Sequence, residues 1–267
     1  MAITVDHDLR KDSKEEAEKV AKWMNDFGLP HRILKLKNIK KDGNLEENAR
    51  IGRYNLLIDF AKKNNAKTIL IGHHQDDQIE SFFLALNRGS GVKGLSGMFE
   101  IREQNGVKII RPLLDFSKKD LLNYCKKNDV PFVNDPMNFD EKFDRVKIRK
   151  NISVLEKLGT KKDRIILAMK NLQRTQTAID FYVSKILKKI TLPNGTFLST
   201  PILESPDEIS LRVLAKLIQK IGEKSYPPEL EKLQTLLEKI KTKKDFQITL
   251  GKCIIKSETN NLIIKKE

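Results

Sequence analysis

The protein has 267 residues, with 51 Lys and Arg against 36 Asp and Glu, which gives a net charge of +15 at pH 7. A hydrophobic content of 39% is enough for a buried core and excludes a wholly disordered chain. Its two cysteines, Cys125 and Cys253, lie far apart, which argues against a disulfide scaffold or a zinc ribbon. Without a signal-peptide pattern or an apolar run long enough to cross a bilayer, we expect a cytoplasmic protein with no membrane partner.

The first 130 residues alternate between apolar runs typical of strands and amphipathic helical segments. Strands are predicted at 2–5, 31–36 and 67–71, the last of them buried, and helices at 13–27, 45–64 and 76–87. This alternation predicts an α/β fold in which a parallel sheet is covered on both faces. Since ligands of such sheets bind beyond the carboxyl ends of the strands, we expect Asp6-His7 and Gly72-His73-His74 on one rim.

The pattern changes from Met98 onward, and helices become more prominent. A hairpin is predicted around Asn105-Gly106, a capped helix at 117–127, and a basic helical stretch at 143–190 that is interrupted near Gly159. Helices at 207–222 and 228–241, with two strands at 246–255 and 262–265, predict a smaller, mainly helical second domain.

Positive charge is concentrated in residues 141–190, which contain fourteen Lys or Arg against five Asp or Glu. Clustered positive charge favours a polyanionic partner, because neutralised phosphates release their condensed counterions. Within this segment Arg145 and Arg149 share one helical face, which suits phosphate binding. A solvated, lysine-rich surface is the alternative that composition leaves open.

The densest polar cluster runs from Gly72 to Glu80 and contains two histidines and three carboxylates. In helical projection His73, Asp77 and Glu80 share a face that points away from the apolar side of the helix. Such a face can bind an amine, a metal or another cation. We favour a substrate or nucleotide site over a divalent-metal site, and over acidic residues that only stabilise a helix start.

Residues 88–97 contain four of the thirteen glycines of the chain. Backbone amides of such loops can bind phosphate, and Arg88 and Lys93 add positive charge. The segment lacks the Walker pattern, and a flexible connector is equally compatible with its composition.

Six motifs taken together resemble the tRNA(Ile)-lysidine synthase family. They are V-D-H-x-L-R at 5–10, E-E-N-A-R-x-x-R-Y at 46–54, G-H-H-x-D-D-x-x-E at 72–80, R-G-S-G-x-x-G-L-x-G-M at 88–98, R-P-L-L at 111–114, and N-D-x-x-N at 134–138, the last followed by Arg145 and Arg149. The third and fourth motifs are highly specific. Residues 211–267 resemble, more weakly, the small substrate-recognition domain of that family.

The resemblance implies the pyrophosphatase-loop (PP-loop), adenine-nucleotide α-hydrolase-like fold and a ligase that makes lysidine. ATP, with Mg²⁺ as its counter-ion, would adenylate the C2 oxygen of the wobble cytidine in the CAU anticodon of tRNA(Ile) and release pyrophosphate. The ε-amine of free L-lysine would then displace AMP. Residues 1–155 would form the catalytic domain, and residues 156–267 a basic linker helix and a tRNA-recognition domain. The resemblance is also compatible with a homodimer.

The resemblance further implies roles for individual residues. The expected catalytic residues are His73, Asp77, Glu80 and Arg145, of which Asp77 and Glu80 would also bind the substrate lysine. The expected nucleotide contacts are Asp6, His7, His73 and Arg145. The expected tRNA contacts are Arg88, Lys93, Arg111, Arg149 and Lys150. No resident metal is predicted.

The sequence departs from the family in one respect, because the S-G-G-x-D-S phosphate loop does not occur in it. Residues 1–5 match the second strand of the family. We therefore expect that the first strand, the loop and the first helix are missing and that the 267 residues alone are inactive. A non-catalytic tRNA-binding remnant and a sister tRNA 2-thiolation enzyme are the alternatives. The second generally uses paired cysteines, a spacing that Cys125 and Cys253 lack.

Overall fold

The computed structural model describes residues 1–6, 13–36, 45–133, 144–224, 226–242, 245–258 and 260–267. The predicted nucleotide contact His7 and the N-D-x-x-N motif at 134–138 lie outside these residues. Two compact units divide the chain, Met1–Leu172 and Gln173–Glu267. Across the described ranges, every helix is too short or too polar to cross a membrane.

The first unit contains the predicted alternation of strands and helices. Its elements are β1 (Ala2–Asp6), α1 (Ser13–Asp26), β2 (His31–Lys35), α2 (Leu45–Lys63), β3 (Thr68–Leu70), α3 (Gln75–Asn87), α4 (Val92–Leu95), β4 (Ile101–Gln104), β5 (Val107–Ile110), α5 (Lys118–Lys127), α6 (Asp144–Lys157) and the start of α7 (Lys162–Ile190). The β1–β2 and β3–β5 pairs are parallel, and β4 is antiparallel to β5. The parallel α/β architecture is confirmed, and the described strands of this unit form two hydrogen-bonded sheets. The rim that Asp6-His7 and Gly72-His73-His74 are expected to share stays a prediction.

Strand β3 is buried on one face only, so its predicted burial is wrong for the other face. Ile69 and Ile71 pack against a core that includes Ile58 of α2 and Ile109 of β5. Leu70, between them, is 68% exposed. Successive side chains of a strand point to opposite faces, and only the face toward α2 reaches this core.

Two predicted interruptions of regular structure coincide with left-handed backbone angles. Asn105 and Gly106, with φ of 52° and 78°, join β4 to β5 as a two-residue hairpin. Gly159, with φ of 92°, separates α6 from α7. Both features are therefore where local sequence signals predicted them.

In the residues described, the second unit packs helices against a four-stranded antiparallel sheet of order β6-β9-β8-β7. Its elements after α7 are β6 (Thr196–Leu198), α8 (Thr200–Leu203), α9 (Asp207–Ile221), α10 (Leu230–Lys241), β7 (Phe246–Leu250), β8 (Cys253–Glu258) and β9 (Asn261–Lys266). The single strand predicted over 246–255 is wrong, because Gly251 and Lys252, with φ of 63° and 62°, turn the chain between β7 and β8.

Gly97 follows α4 at a point where the side chains of Met169 and Gln78 occupy the space that a Cβ would need. Its φ is +67°, and an added Cβ would collide with Met169 Cε and come within 2.7 Å of Gln78 Oε1. The Gln78 amide holds this turn: Nε2 donates to the Met98 carbonyl at 2.6 Å, and Oε1 accepts from the Met98 N–H at 2.7 Å. A methyl group at position 97 would disturb both the backbone and these bonds.

We expect Gly97→Ala to lower the free energy of unfolding by about 2 kcal/mol, measured by urea denaturation. Gly106→Ala is the matched control, because Gly106 also has a positive φ of +78° but nothing lies within 4 Å of an added Cβ. That variant should cost about 1 kcal/mol, from backbone strain alone. Equal losses in the two variants would contradict the steric explanation.

Candidate active site

His73 lies on the short segment between the carboxyl end of β3 and the start of α3. Helix α3 begins at Gln75, and His74 is its N-cap, in extended conformation with φ of −125°. The predicted helical projection of His73 is therefore wrong, since this residue precedes the helix. Asp77 lies in the first turn, where its Oδ2 accepts a hydrogen bond from the His74 backbone N–H at 2.9 Å.

Arg111 holds the His73 ring from the side of β5. Its Nε donates to His73 Nδ1 at 3.3 Å, and its other nitrogens donate to the Phe99 carbonyl at 2.8 Å and to the Tyr54 hydroxyl at 3.4 Å. Arg111 is only 3% exposed. The structure thus directs this guanidinium inward to His73, in contrast to the predicted contact with tRNA.

Burial lowers the pKa of His73 from 6.5 to about 4, with the charges of Arg111 and Arg53 acting in the same direction and the Asp77 carboxylate opposing them. The ring is therefore neutral at pH 7. Since Nδ1 accepts from Arg111, the proton of the neutral ring is on Nε2, which becomes a hydrogen-bond donor. A donor in this position suits an anionic oxygen rather than an incoming proton.

We expect the His73 imidazole to titrate near pH 4 when its ring signals are followed by NMR. Because the folded pKa lies below the unfolded one, the unfolded state takes up this proton first as the pH falls, and stability is lost on the acid side of neutrality. Between pH 7 and pH 5 the wild-type protein should lose about 2 kcal/mol more unfolding free energy than His73→Gln, which cannot titrate there. Identical pH dependence of the two proteins would contradict a neutral, buried His73.

Tyr54 and Arg53, on α2, belong to the surroundings of His73 although neither was predicted as a site residue. The Tyr54 hydroxyl contacts Arg111, and the exposed Arg53 lies with its guanidinium carbon 5.8 Å from the Tyr54 ring centroid. The signal that could have found them is the E-E-N-A-R-x-x-R-Y motif, which contains both.

Asp76, another residue not predicted as part of the site, connects α3 to two other helices. Its Oδ2 accepts from the Lys118 backbone N–H at 2.7 Å, at the start of α5, and its Oδ1 accepts from Lys162 Nζ at 2.8 Å, at the start of α7. Burial opposes ionisation of Asp76, but these hydrogen bonds and the Lys162 charge lower its pKa. Asp76 is therefore an ionised carboxylate with a structural role at this helix end.

Glu80 is buried beneath α6, so the expected exposed acidic face is wrong at this position. Its side chain is 1% exposed, and Oε1 accepts from Arg149 Nε at 2.8 Å and Nη2 at 2.7 Å. Arg145 Nη1 lies 3.7 Å from Oε2. Burial raises the pKa of Glu80, while the charge and hydrogen bond of Arg149 oppose that rise.

The burial of Glu80 follows from the packing of α3 against α6. Ile79 of α3 is in a core with Ile152 of α6 and with Ile165 and Met169 of α7. With α6 packed along α3 in this way, the predicted phosphate-binding arginines Arg145 and Arg149 are brought over Glu80. A projection of α3 alone cannot show this neighbouring helix.

Several predicted site residues remain accessible. The Arg145 side chain is 40% exposed, and Arg88, Lys93 and Lys150 are exposed. In the glycine-rich segment, backbone amides such as those of Gly89, Ser96 and Gly97 donate to carbonyls of neighbouring turns. Phosphate binding by this segment stays a prediction.

Asp6 ends β1 and is 5% exposed. Its Oδ1 accepts a hydrogen bond from Ser13 Oγ at 2.8 Å, which connects the strand to the start of α1. A nucleotide contact for Asp6 stays a prediction. Within the described ranges, no three His, Cys, Asp or Glu side chains are grouped so that they could hold a metal ion.

Residues 1–156 match the PP-loop domain family. The tRNA(Ile)-lysidine synthase of Ruegeria pomeroyi is 34% identical over 94% of this chain and 60% of the relative. That of Wolbachia pipientis wMel is 33% identical over 100% of this chain and 63% of the relative. That of Methylobacterium nodulans is 36% identical over 89% of this chain and 72% of the relative. The chain therefore spans 60% to 72% of the length of these relatives.

Among solved structures, the U34-tRNA thiolase NcsA from Methanococcus maripaludis with its [4Fe-4S] cluster is similar, with a TM-score of 0.54. It is 18% identical, and the match covers 64% of this chain and 61% of the thiolase, so the likeness concerns the fold alone. The family of the chain is assigned from the relatives, whose sequence identity is higher. With a PP-loop domain over residues 1–156 and 36% identity across 72% of one relative, the chain belongs to the tRNA(Ile)-lysidine synthase family of PP-loop proteins.

Proposed function

We propose that the protein ligates lysine to C2 of the wobble cytidine in the CAU anticodon of tRNA(Ile), in the cytoplasm, at the expense of ATP. The products are lysidine, AMP and pyrophosphate. One observation carries the proposal: Arg111 holds a buried, neutral His73 within electrostatic reach of the Asp77 carboxylate. This pair occurs in a chain that is 33% to 36% identical to relatives named tRNA(Ile)-lysidine synthase.

The first step of this reaction transfers an adenylyl group. The C2 oxygen of the cytidine attacks the α-phosphorus of ATP, a P–O bond forms, and pyrophosphate leaves with its bonding electron pair. The Nε2–H of His73 can donate a hydrogen bond to an oxygen of the α-phosphate. The half-exposed Arg145 can stabilise the negative charge that develops on that phosphate. Asp6 and His7 are further proposed nucleotide contacts, and Mg²⁺ is the proposed counter-ion of the ATP phosphates.

The second step is the attack of lysine. The ε-ammonium first loses one proton, the free amine then forms a bond to C2, AMP leaves with the electron pair of its C2–O bond, and the nitrogen loses a second proton as AMP departs. Asp77 can attract the ammonium and accept the first of these protons, because one of its oxygens caps α3 while the side chain retains 19% exposure. Glu80 is buried and bound by Arg149. We therefore assign lysine binding to Asp77, and to Glu80 the positioning of Arg145 and Arg149.

The proposal divides the chain as the family resemblance implies, with catalysis in residues 1–155 and tRNA recognition in residues 156–267. The exposed side chains of Arg88, Lys93 and Lys150 support their assignment as tRNA contacts. Sulfur transfer is less well supported, since of the two cysteines Cys253 is buried and donates to the Ile218 carbonyl.

The test is formation of lysidine from radiolabelled lysine, ATP and a tRNA(Ile) transcript. One arm uses the 267-residue chain alone, which we expect to be inactive because it contains no Ser-Gly-Gly. The other uses a loop-supplied chain, defined as the same residues preceded in frame by a first strand, an S-G-G-x-D-S loop and a first helix.

We expect lysidine in the second arm only. Lysidine formation by the 267 residues alone would refute the expectation that they are inactive, but it would support the proposed ligase function. Binding of tRNA with no lysidine in either arm would instead favour the non-catalytic alternative.

A further inference from the structure

Two adjacent aromatic side chains are exposed on α7, within the second unit. Phe181 is 64% exposed and Tyr182 is 55% exposed. Their rings meet edge to face, with centroids 5.6 Å apart and an interplanar angle of 82°. By contrast, Phe82 and Phe83, which also form an edge-to-face pair, pack against the core of the first unit. The pair on α7 is thus an apolar surface in contact with water.

The packing of α7 explains why this pair points outward. Val183 and Ile190 are fully buried in the core of the second unit, and Ile179 and Ile186 pack against that core. These four positions recur at helical spacing and define the inner face of the helix. Position 181 lies opposite this inner face and position 182 lies at its edge, and both side chains are exposed where an amphipathic helix ordinarily carries polar residues.

Three exposed lysines follow the pair along α7. Lys185 is four residues after Phe181 and three after Tyr182, so it is a direct neighbour of both on the helix surface. Lys188 and Lys189 lie two turns beyond Phe181 and Tyr182, respectively, and all three lysines are exposed. The acidic residue of this segment, Asp180, is engaged by Lys216 at 3.2 Å and by Gln176 at 2.8 Å. Residues 181, 182, 185, 188 and 189 therefore form an aromatic–lysine face of positive charge.

We propose that the aromatic–lysine face binds tRNA, with an unpaired base stacked on the Phe181–Tyr182 pair and the lysines at the flanking phosphates. Aromatic rings accept the faces of unstacked bases, and the gain is largely independent of sequence. Lysine ammonium groups bind phosphates and release their counterions. This inference rests on the proposed function, which supplies tRNA as the partner. The tRNA contacts predicted from sequence are all basic residues, and this inference adds two aromatic ones.

A second copy of the chain is the competing occupant of this face. A symmetric dimer would place the same patch of each copy against the other, so two surfaces with the same positive charge would face each other. Like charges in such an interface repel each other, whereas a phosphate backbone complements them. The charge of the face thus favours RNA.

The test is the affinity of the 267-residue chain for a tRNA(Ile) transcript, measured by fluorescence anisotropy without ATP or lysine. The double variant Phe181→Ala/Tyr182→Ala should raise Kd at least about 10-fold with an unchanged salt dependence, because stacking is lost but no charge is removed. Lys185→Gln/Lys188→Gln should also raise Kd, and should reduce the slope of log Kd against log salt by about 1.5. The swapped pair Phe181→Tyr/Tyr182→Phe should bind within about 2-fold of wild type, since both rings remain.

Tyr124→Ala is the matched control, because Tyr124 is 63% exposed on another lysine-rich helix, α5, but lacks a paired ring within the part of the chain that the structure describes. It should leave Kd unchanged. Ultraviolet crosslinking adds a positional readout: the tryptic peptide of residues 175–185 should carry a nucleotide adduct in wild type and lose it in the double alanine variant.

Unchanged tRNA affinity and crosslinking in Phe181→Ala/Tyr182→Ala would overturn the proposal. So would a wild-type dimer that this variant converts to monomer, in sedimentation, without any change in Kd. Because binding is measured without ATP or lysine, a failure of lysidine formation would not affect this result. Conversely, if the aromatic–lysine face does not bind tRNA, the proposed roles of Asp77 and His73 are unaffected, because lysidine formation tests them separately.

Discussion

Replacing Asp77 by asparagine is expected to lower kcat/KM for lysine by about 100-fold in the loop-supplied chain, because the carboxylate both attracts the ammonium and accepts its proton. Asparagine has nearly the same size and retains an oxygen for the His74 backbone N–H, which the carboxylate accepts at 2.9 Å. The start of α3 should therefore persist while the negative charge is lost. Lysine incorporation at varied lysine concentration, with ATP and tRNA saturating, measures the effect.

The control for Asp77→Asn is Asp120→Asn on α5. Asp120 occupies the same third position of a helix and closes the same type of capping box, with Oδ2 accepting from the Ser117 backbone N–H at 3.2 Å. Both substitutions should cost about 1 kcal/mol of unfolding free energy or less. Only Asp77→Asn should change the lysine kinetics. Unaltered kcat and KM for lysine in Asp77→Asn would show that another group recognises the amine.

The order of strands and helices could be predicted from the sequence because the deciding signals are local. Asn105-Gly106 predicts its hairpin through backbone conformations that these two residues adopt readily, and Ser117 predicts the start of α5 by capping it. The turn at Gly251-Lys252 is not predicted, because the apolar residues on both sides of it are typical of one continuous strand.

The inner part of the candidate site could not be predicted in the same way, because periodicity shows which face of an element is apolar but not what covers the other face. The burial of Glu80 depends on α6, whose residue Arg149 is distant in sequence. The inward direction of Arg111 depends on Tyr54, His73 and Phe99, which come from three separate segments. Sequence motifs alone therefore predict ligand contacts for Glu80 and Arg111, whereas the partners of these two residues are in the protein itself.

Truncating Glu80 to alanine is expected to lower the free energy of unfolding by about 4 kcal/mol. Two donors of Arg149, at 2.7 Å and 2.8 Å from Oε1, would lose their acceptor. The nearby Arg145 would also lose its counter-charge, which leaves two guanidinium groups close together over a cavity. Glu80→Gln should cost only about 1 kcal/mol of unfolding free energy, because glutamine keeps an acceptor oxygen for Arg149. The neutral amide also avoids the cost of burying a negative charge, the same cost that raises the pKa of Glu80.

The stability comparison needs an arginine–glutamate pair whose glutamate is exposed to solvent. Glu208 and Arg212 on α9 provide it, with an Nε–Oε1 distance of 2.6 Å and a glutamate side chain that is 55% exposed. Glu208→Ala should cost less than about 1 kcal/mol in the same urea titration. A similar loss in Glu80→Ala would show that the buried pair contributes no more than a surface one.

Kinetics then separate positioning by Glu80 from direct binding of lysine. If Glu80 acts through the arginines, Glu80→Gln should lower kcat through a displaced Arg145 and leave the KM for lysine unchanged, and Arg149→Met should do the same from the other side of the pair. A direct ligand would behave differently, since Glu80→Gln would raise the KM for lysine while Arg149→Met would not. A rise of KM confined to the Glu80 variants would therefore restore Glu80 as a lysine ligand and require that α6 move away from α3 when the substrate binds.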